Sequence, residues 1–205
     1  MKEKKLILTA RVLSMVFTPL YLSLVGIIAL FTLSYLNQLP TAYKLTVLTL
    51  VYIFTILLPT VLIRFYRNYH GWTLIQLSNK ERRIVPYLIS VTSYMVCSYI
   101  MQRLNFPHFI SSILIAALMI QCVCTIINVF WKISTHTAAI GGVTGALMAF
   151  AFFFGFNPIG WLCIVLLLAG MVGTSRIILR QHTLAQVTVG FIVGVICAFP
   201  IILFW

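Results

Sequence analysis

The sequence contains no aspartate, and its only acidic side chains are those of Glu3 and Glu81. Enzymes that use magnesium or paired metal ions hold these ions mainly with carboxylates. The scarcity of acids therefore argues against a carboxylate-bound magnesium or a two-metal site. We predict that the protein works without a metal and without another cofactor.

Charged residues of either sign are scarce: of the 205 residues, 8% are charged and 62% are hydrophobic. Because a soluble domain averages about 25% charged residues, this composition predicts a polytopic membrane protein. The formal net charge of +12 comes from Lys and Arg at the ends of apolar runs. No basic stripe runs along an exposed helix, so we expect no nucleic-acid partner. The expected partners are the lipid bilayer and a phosphorylated membrane lipid.

Long apolar runs predict an all-α transmembrane helical bundle of about seven spans, with six as the alternative, because about 20 apolar residues cross a bilayer. The predicted spans are roughly 12–36, 45–65, 86–103, 109–130, 138–156, 159–175 and 186–204. Pro19, Pro59 and Pro200 fall inside them, which membrane helices tolerate. The loops are short apart from 66–85, so we predict that residues 1–205 form a single integral membrane domain.

Two pairs of glycines are spaced by one helical turn, Gly141 with Gly145 and Gly190 with Gly194. Small residues at this spacing allow two membrane helices to approach closely. We interpret both pairs as packing contacts inside one bundle. The oligomeric state stays open.

The distribution of cations predicts the orientation in the membrane. With seven spans, all of the 14 Lys and Arg residues except Lys44 and Arg103 lie on the side of the N-terminus. Cations are enriched on the cytoplasmic side of membrane proteins, so we predict a cytoplasmic N-terminus. Short loops and the absence of an Asn-x-Ser/Thr glycosylation sequon favour a bacterial inner membrane.

Three short polar segments, residues 80–83, 132–136 and 175–182, are predicted to lie on this cytoplasmic side. The third segment ends at His182, four residues before Gln186, so on a helix the two side chains share a face. The side-chain carbonyl of Gln186 would accept a hydrogen bond from one imidazole nitrogen of His182, and the other nitrogen would act as a nucleophile. The alternative is an interfacial histidine at the start of the last span.

The second polar segment reads KISTH. Ser134 or Thr135 would cap the helix that follows, and the N-terminus of a helix is an anion-binding site. Lys132 would add positive charge, and His136 would supply a proton. The alternative is an ordinary interfacial belt, with Trp131 at head-group depth and Lys132 extended towards the surface.

The first polar segment reads KERR and precedes Pro86, a residue that suits the first turn of a helix. The adjacent guanidinium groups of Arg82 and Arg83 would clamp phosphate oxygens. The alternative is a positively charged flank of the third span, as expected on a cytoplasmic side.

The third segment resembles a motif of the type 2 phosphatidic acid phosphatase (PAP2) superfamily, S-R-x5-H-x3-D. Ser175, Arg176 and His182 match this motif in residue type and spacing, whereas Gln186 stands where the family has aspartate. Because Arg176 and His182 are six residues apart, a bend or a helix start is required between them for their side chains to converge.

The other two segments resemble the remaining motifs of the family in part. In the second motif, P-S-G-H, Ser134 and His136 match. In the first motif, K-x6-R-P, Arg82 or Arg83 with Pro86 resembles the R-P end, and no Lys lies seven residues before either Arg. The PAP2-like region thus covers about 80–190.

The resemblance implies an enzyme that removes phosphate from a phosphatidate-like lipid or a polyprenyl pyrophosphate without a metal. His182 would attack phosphorus and form a phosphohistidine, Arg176 would stabilise the transferring group, and His136 would protonate the leaving group. Gln186 would orient His182. The implied substrate-binding residues are Lys80, Arg82, Arg83, Lys132, Ser134 and Ser175.

A catalytically inactive relative that binds or transports an anionic lipid is the alternative. An amide at position 186 can orient a histidine, but it does not stabilise the cationic imidazole as a carboxylate does. A channel or transporter is less favoured, because such proteins usually keep ionisable groups near the middle of the membrane, where this sequence has none that we identify.

Overall fold

The computed structural model describes residues 2–33, 35–72, 82 and 84–204. Within these ranges the chain forms eight helices and no strand. They are α1 Lys2–Val16, α2 Pro19–Leu33, α3 Thr41–Tyr69, α4 Ile84–Arg103, α5 His108–Phe130, α6 Thr135–Phe154, α7 Ile159–Ile178 and α8 Leu184–Phe204. Helices α3 to α8 are each long and apolar enough to cross a membrane, and α1 and α2 pass the same test as a bent pair. The predicted helical membrane bundle is confirmed.

The first predicted span, 12–36, is divided in the structure into two helices, which together pass the test for a membrane span as a bent pair. Helix α2 starts at Pro19, and its axis is turned by 60° from that of α1. In a continuous helix Pro19 would have no N–H for the carbonyl of Met15, and its ring would clash with that carbonyl. The Thr18 hydroxyl donates to the Met15 carbonyl instead, at 2.8 Å. Proline here ends one helix and begins the next.

Pro59 is accommodated in a different way, inside the continuous helix α3. A π-helical turn, Ile53–Leu57, ends two residues before the proline. This wider turn makes room for the ring and for the carbonyl that receives no N–H from Pro59. Pro200 likewise lies within α8. The expectation that membrane helices tolerate proline therefore holds at these two positions.

Apolar residues form two clusters in the interior of the bundle. One cluster joins α2, α3, α4 and α5 around fully buried residues such as Val47, Tyr94 and Met101. The other joins α5, α6 and α8 around Ile133 and Ala138. The second cluster supports the elements that carry the second and third polar segments.

Glycines bring the backbones of α6 and α8 into contact. A Cβ atom added to Gly194 would overlap the carbonyl oxygen of Ala138, and one added to Gly141 would overlap that of Phe191. Small residues at these positions are therefore required for the observed approach of the two helices. The predicted packing role of the glycine pairs is confirmed.

Replacing Gly194 by alanine is expected to destabilise the protein by about 1–3 kcal/mol, because the new methyl group would overlap backbone atoms of α6. Gly170→Ala is the matched control, since a Cβ atom at Gly170 would meet nothing within 4 Å. The helix propensity of alanine should leave that variant as stable as the wild type, or more so. Thermal unfolding of the purified protein in detergent measures both effects, and equal midpoints would contradict the close contact.

Candidate active site

The second polar segment forms the start of α6, where Ser134 is the N-cap. Its backbone is extended (φ −88°, ψ 104°), and its Oγ accepts a hydrogen bond from the N–H of Thr137 at 3.5 Å. The Thr137 hydroxyl donates in return to the Ser134 carbonyl, at 3.0 Å. Of the two residues predicted to cap this helix, Ser134 and Thr135, it is Ser134 that does so. The helix N-terminus beside it carries the positive end of the helix dipole, which favours an anion.

The third polar segment turns back between Arg176 and His182. Arg180 has a φ of 52°, and its N–H donates to the Ile177 carbonyl at 2.8 Å. The N–H of Gln181 donates to the Arg176 carbonyl at 3.1 Å, which completes a Schellman motif with arginine in the left-handed position. The His182 N–H also donates to the Arg176 carbonyl, at 3.4 Å. This helix end is the bend that the sequence required.

His182 is buried and is held by Gln186. Its Nδ1 lies 3.1 Å from Gln186 Oε1, and the N–H of Thr183 donates to the same oxygen at 3.2 Å. The Gln186 N–H donates to Thr183 Oγ1 at 3.4 Å, so Thr183 and Gln186 form a capping box at the start of α8. Because an amide oxygen only accepts hydrogen bonds, this contact favours the proton on Nδ1, and in the neutral imidazole the lone pair then lies on Nε2.

The contact between α6 and α8 joins the second and third segments. The N–H of Ser134 donates to the Gln186 carbonyl at 3.4 Å. One turn further along α8, a Cβ atom on Gly190 would lie 2.6 Å from the Ser134 carbonyl oxygen. Lys132 and His136 flank Ser134 in sequence and are half-buried. The cap of α6 therefore lies directly against the residue that holds His182.

Arg176 is buried, and its Nη1 donates to Ser14 Oγ at 2.5 Å. Ser14 belongs to α1, which packs against α7. Ser14 was not among the predicted site residues. In the sequence it differs from its neighbours only as an isolated serine within an apolar stretch. Ser175 is also buried, but its hydroxyl donates to the Met171 carbonyl at 2.8 Å, within α7 itself.

Of the first polar segment, the structure describes Arg82, which contacts a residue that follows α3. The Arg82 guanidinium lies 4.5 Å from the centroid of the Trp72 ring, and that ring stacks on His70 with centroids 4.5 Å apart. Lys80 and Arg83 lie outside the described residues.

The functional groups of the second and third polar segments are cations and imidazoles. Within the described ranges, no group of three or more His, Cys, Asp or Glu side chains could hold a metal ion. A buried guanidinium and a capped helix N-terminus are suited to a phosphate group. An oriented imidazole beside them can act as a nucleophile, and a second imidazole can move a proton.

A family model described as the PAP2 superfamily matches residues 127–205. The matched region begins near the end of α5 and contains the second and third polar segments, whereas the first segment lies before it. Comparisons with curated proteins and with solved structures found no match. The superfamily generally contains phosphatases, which supports a hydrolase of the phosphatase type. Residues 127–205 of this chain are therefore similar to the PAP2 superfamily.

Proposed function

We propose that the protein is a metal-independent lipid phosphatase, which hydrolyses a phosphomonoester or pyrophosphate of a membrane lipid through a phosphohistidine at His182. The observation that carries this proposal is the pair of hydrogen bonds that hold His182. Its Nδ1 contacts Gln186 Oε1, and its backbone N–H donates to the carbonyl of the buried Arg176. A nucleophile oriented by a neighbouring side chain, beside a fixed cation, is suited to phosphoryl transfer.

The first step of the proposed reaction transfers the phosphoryl group to the protein. Nε2 of His182 attacks phosphorus, and the bond between phosphorus and the leaving oxygen breaks. Arg176 and Lys132 stabilise the charge on the phosphoryl oxygens, and Ser134 with the start of α6 binds one of these oxygens. His136 gives its proton to the leaving oxygen.

The second step releases phosphate. A water molecule attacks the phosphohistidine, its proton passes to His136, and the phosphorus–nitrogen bond breaks. His182 and His136 are thereby restored to their starting states. The binding of substrate by Lys80, Arg82 or Arg83 stays a prediction. For Arg82, the contact of its guanidinium with Trp72 does not favour this role.

The reaction is proposed to take place at the cytoplasmic surface of a bacterial inner membrane. The start of α6, the end of α7 and the start of α8 lie at one end of the bundle. The second and third polar segments, with their cationic side chains, lie at this end. The excess of Lys and Arg on this side supports the orientation.

A second candidate function is the binding of an anionic lipid without turnover. The observation that favours it is Gln186, an uncharged residue whose Oε1 already accepts from two N–H groups. The deciding experiment is an assay of phosphate release from phosphatidate and polyprenyl pyrophosphates by the purified protein in EDTA. Release supports the phosphatase, whereas lipid binding without release across the panel supports the second candidate.

Two substitutions of Gln186 distinguish its role in orienting the His182 ring from the effect of a negative charge at this position. Gln186→Glu keeps the length of the side chain and both acceptor contacts, and its negative charge stabilises the imidazolium, so we expect faster phosphate release. Gln186→Leu removes the acceptor, and the loss of orientation should lower the rate by about 10–100-fold. Steady-state rates measured on one lipid phosphate test both effects. Equal rates for wild type and Gln186→Leu would contradict an orienting role.

A further inference from the structure

Helix α1 contacts the rest of the bundle through one narrow face. Within Lys4–Val16, Ala10 and Ser14 are buried and Leu13 is half-buried, whereas the other side chains are exposed. Positions 13 and 14 follow position 10 by three and four residues, so all three side chains lie on one side of the helix. This side packs against α7, the helix that carries Arg176. The buried face of α1 therefore meets the bundle beside the candidate active site.

The Ser14 hydroxyl on this face is used differently from most hydroxyls in the helices. Many of these donate to a carbonyl of their own helix, as Thr9 of α1 does to Lys5 at 3.0 Å. Ser14 Oγ instead accepts from Nη1 of Arg176 at 2.5 Å. Packing alone is satisfied by alanine on this face, as Ala10 shows. The hydroxyl at position 14 therefore serves the contact with the guanidinium.

Arg176 is held at both ends of its side chain. Its carbonyl accepts from the N–H groups of Gln181 and His182, which fixes the backbone at the end of α7. Ser14 holds the guanidinium at the other end. The five N–H groups of a guanidinium lie in one rigid plane, so a hydrogen bond to Nη1 also sets the direction of the other donors. A long arginine side chain without such a contact samples many rotamers.

We infer that Ser14 is a positioning residue of the candidate active site, which orients the Arg176 guanidinium towards the phosphoryl group that passes to His182. The inference rests on the proposed function and adds to it a residue of α1, outside the matched residues 127–205. Ser14 acts through Arg176 and does not touch the substrate. Because donors stabilise a developing charge best when they are already in place, a guanidinium that rotates stabilises the transferring group less well.

Substitutions at position 14 test the role of the hydroxyl. Ser14→Ala removes the acceptor and should lower kcat for phosphate release from one lipid phosphate by about tenfold, the effect of one hydrogen bond to a charged group. Ser14→Thr keeps a hydroxyl and should retain most of the wild-type rate. The control is Thr9→Ala, at an exposed position of the same helix, which should leave kcat unchanged.

Stability is measured separately, by thermal unfolding of each variant in detergent. If Ser14→Ala does not fold, Ser14→Cys replaces it, because a thiol has nearly the same shape and is only a weak acceptor. It should show the same loss of kcat. A folded Ser14→Ala or Ser14→Cys variant with the wild-type kcat would overturn the inference.

A double-mutant cycle separates positioning from a general effect on packing. The Arg176→Lys variant has no planar group to orient, so adding Ser14→Ala to it should change kcat by less than about twofold. A merely structural role of Ser14 would lower kcat by the same factor in both backgrounds. Equal factors would therefore overturn the inference.

The orientation of the guanidinium can also be measured without turnover, which separates this inference from the proposed function. In protein with ¹⁵N-labelled arginine, a guanidinium held by Ser14 should rotate slowly about its Nε–Cζ bond, so that Nη1 and Nη2 of Arg176 give separate NMR signals. Absence of these signals from Arg176→Lys assigns them. They should stay separate in Ser14→Thr and merge in Ser14→Ala.

The two measurements together distinguish the possible failures. Separate Nη signals that depend on the Ser14 hydroxyl, without phosphate release from any lipid, would support the positioning of Arg176 and overturn the phosphatase. Phosphate release by a wild type whose Nη signals are already merged would overturn the positioning role alone.

Discussion

Replacing His182 by alanine is expected to lower phosphate release from a lipid phosphate by at least about 10⁴-fold. His182 is the only residue to which the proposed mechanism gives the attack on phosphorus. Its Nδ1 is engaged by Gln186, so that Nε2 is the nitrogen with a lone pair. Initial rates of phosphate release by the purified variant in detergent, in the presence of EDTA, measure the effect.

The matched control is His108→Ala. His108 is exposed and begins α5, at the opposite end of the bundle from the starts of α6 and α8. Its loss should leave the rate unchanged. Thermal unfolding of both variants shows whether the bundle is intact. A folded His182→Ala variant that keeps more than a small fraction of the wild-type rate would contradict the assignment of the nucleophile.

Replacing Arg176 by lysine is expected to lower kcat by about 10²–10³-fold, the range found when one donor to a developing charge is lost. The substitution keeps the positive charge in a buried position, so the variant should still fold. Lysine has no planar fork, however, and it does not reproduce a guanidinium that contacts Ser14 while it binds phosphoryl oxygens. Kinetics on one lipid phosphate should show the loss mainly in kcat.

Arg180→Lys provides the control for this change. Arg180 lies four residues further along and is exposed, at the left-handed position that ends α7. The same substitution there should leave kcat unaltered. If the Arg176→Lys variant kept its kcat within about threefold of the wild type, the guanidinium would not be the group that stabilises the transferring phosphoryl.

Most of the membrane-spanning helices could be predicted from hydrophobicity alone, because each apolar run is as long as a bilayer is thick. The run 109–130 corresponds closely to α5, His108–Phe130. Helix α7 continues to Ile178, beyond the predicted end at 175. The prediction ended it early because Ser175 and Arg176 are polar, yet both are buried against other helices.

The contact between His182 and Gln186 could be predicted because it is local. Four residues separate the two side chains, and the spacing alone puts them within reach of each other. The contact between Ser134 and Gln186 depends instead on the close packing of α6 and α8. The glycine pairs indicated that such packing was possible, but not which two helices would use it.

The partner of Arg176 could not be predicted in this way. Ser14 is 162 residues away in sequence, and its position depends on the break before Pro19, which turns α1 relative to α2. No periodicity in the sequence carries this information.

Trapping the covalent intermediate tests the central claim most directly. The purified protein is mixed with a lipid phosphate that carries ³²P and is quenched in alkali, in which a phosphorus–nitrogen bond survives. Peptide mapping then locates the label. We predict label on the peptide that contains His182, and none in His182→Ala. Rapid phosphate release with no label on any histidine, or with label on His136 instead, would contradict the account.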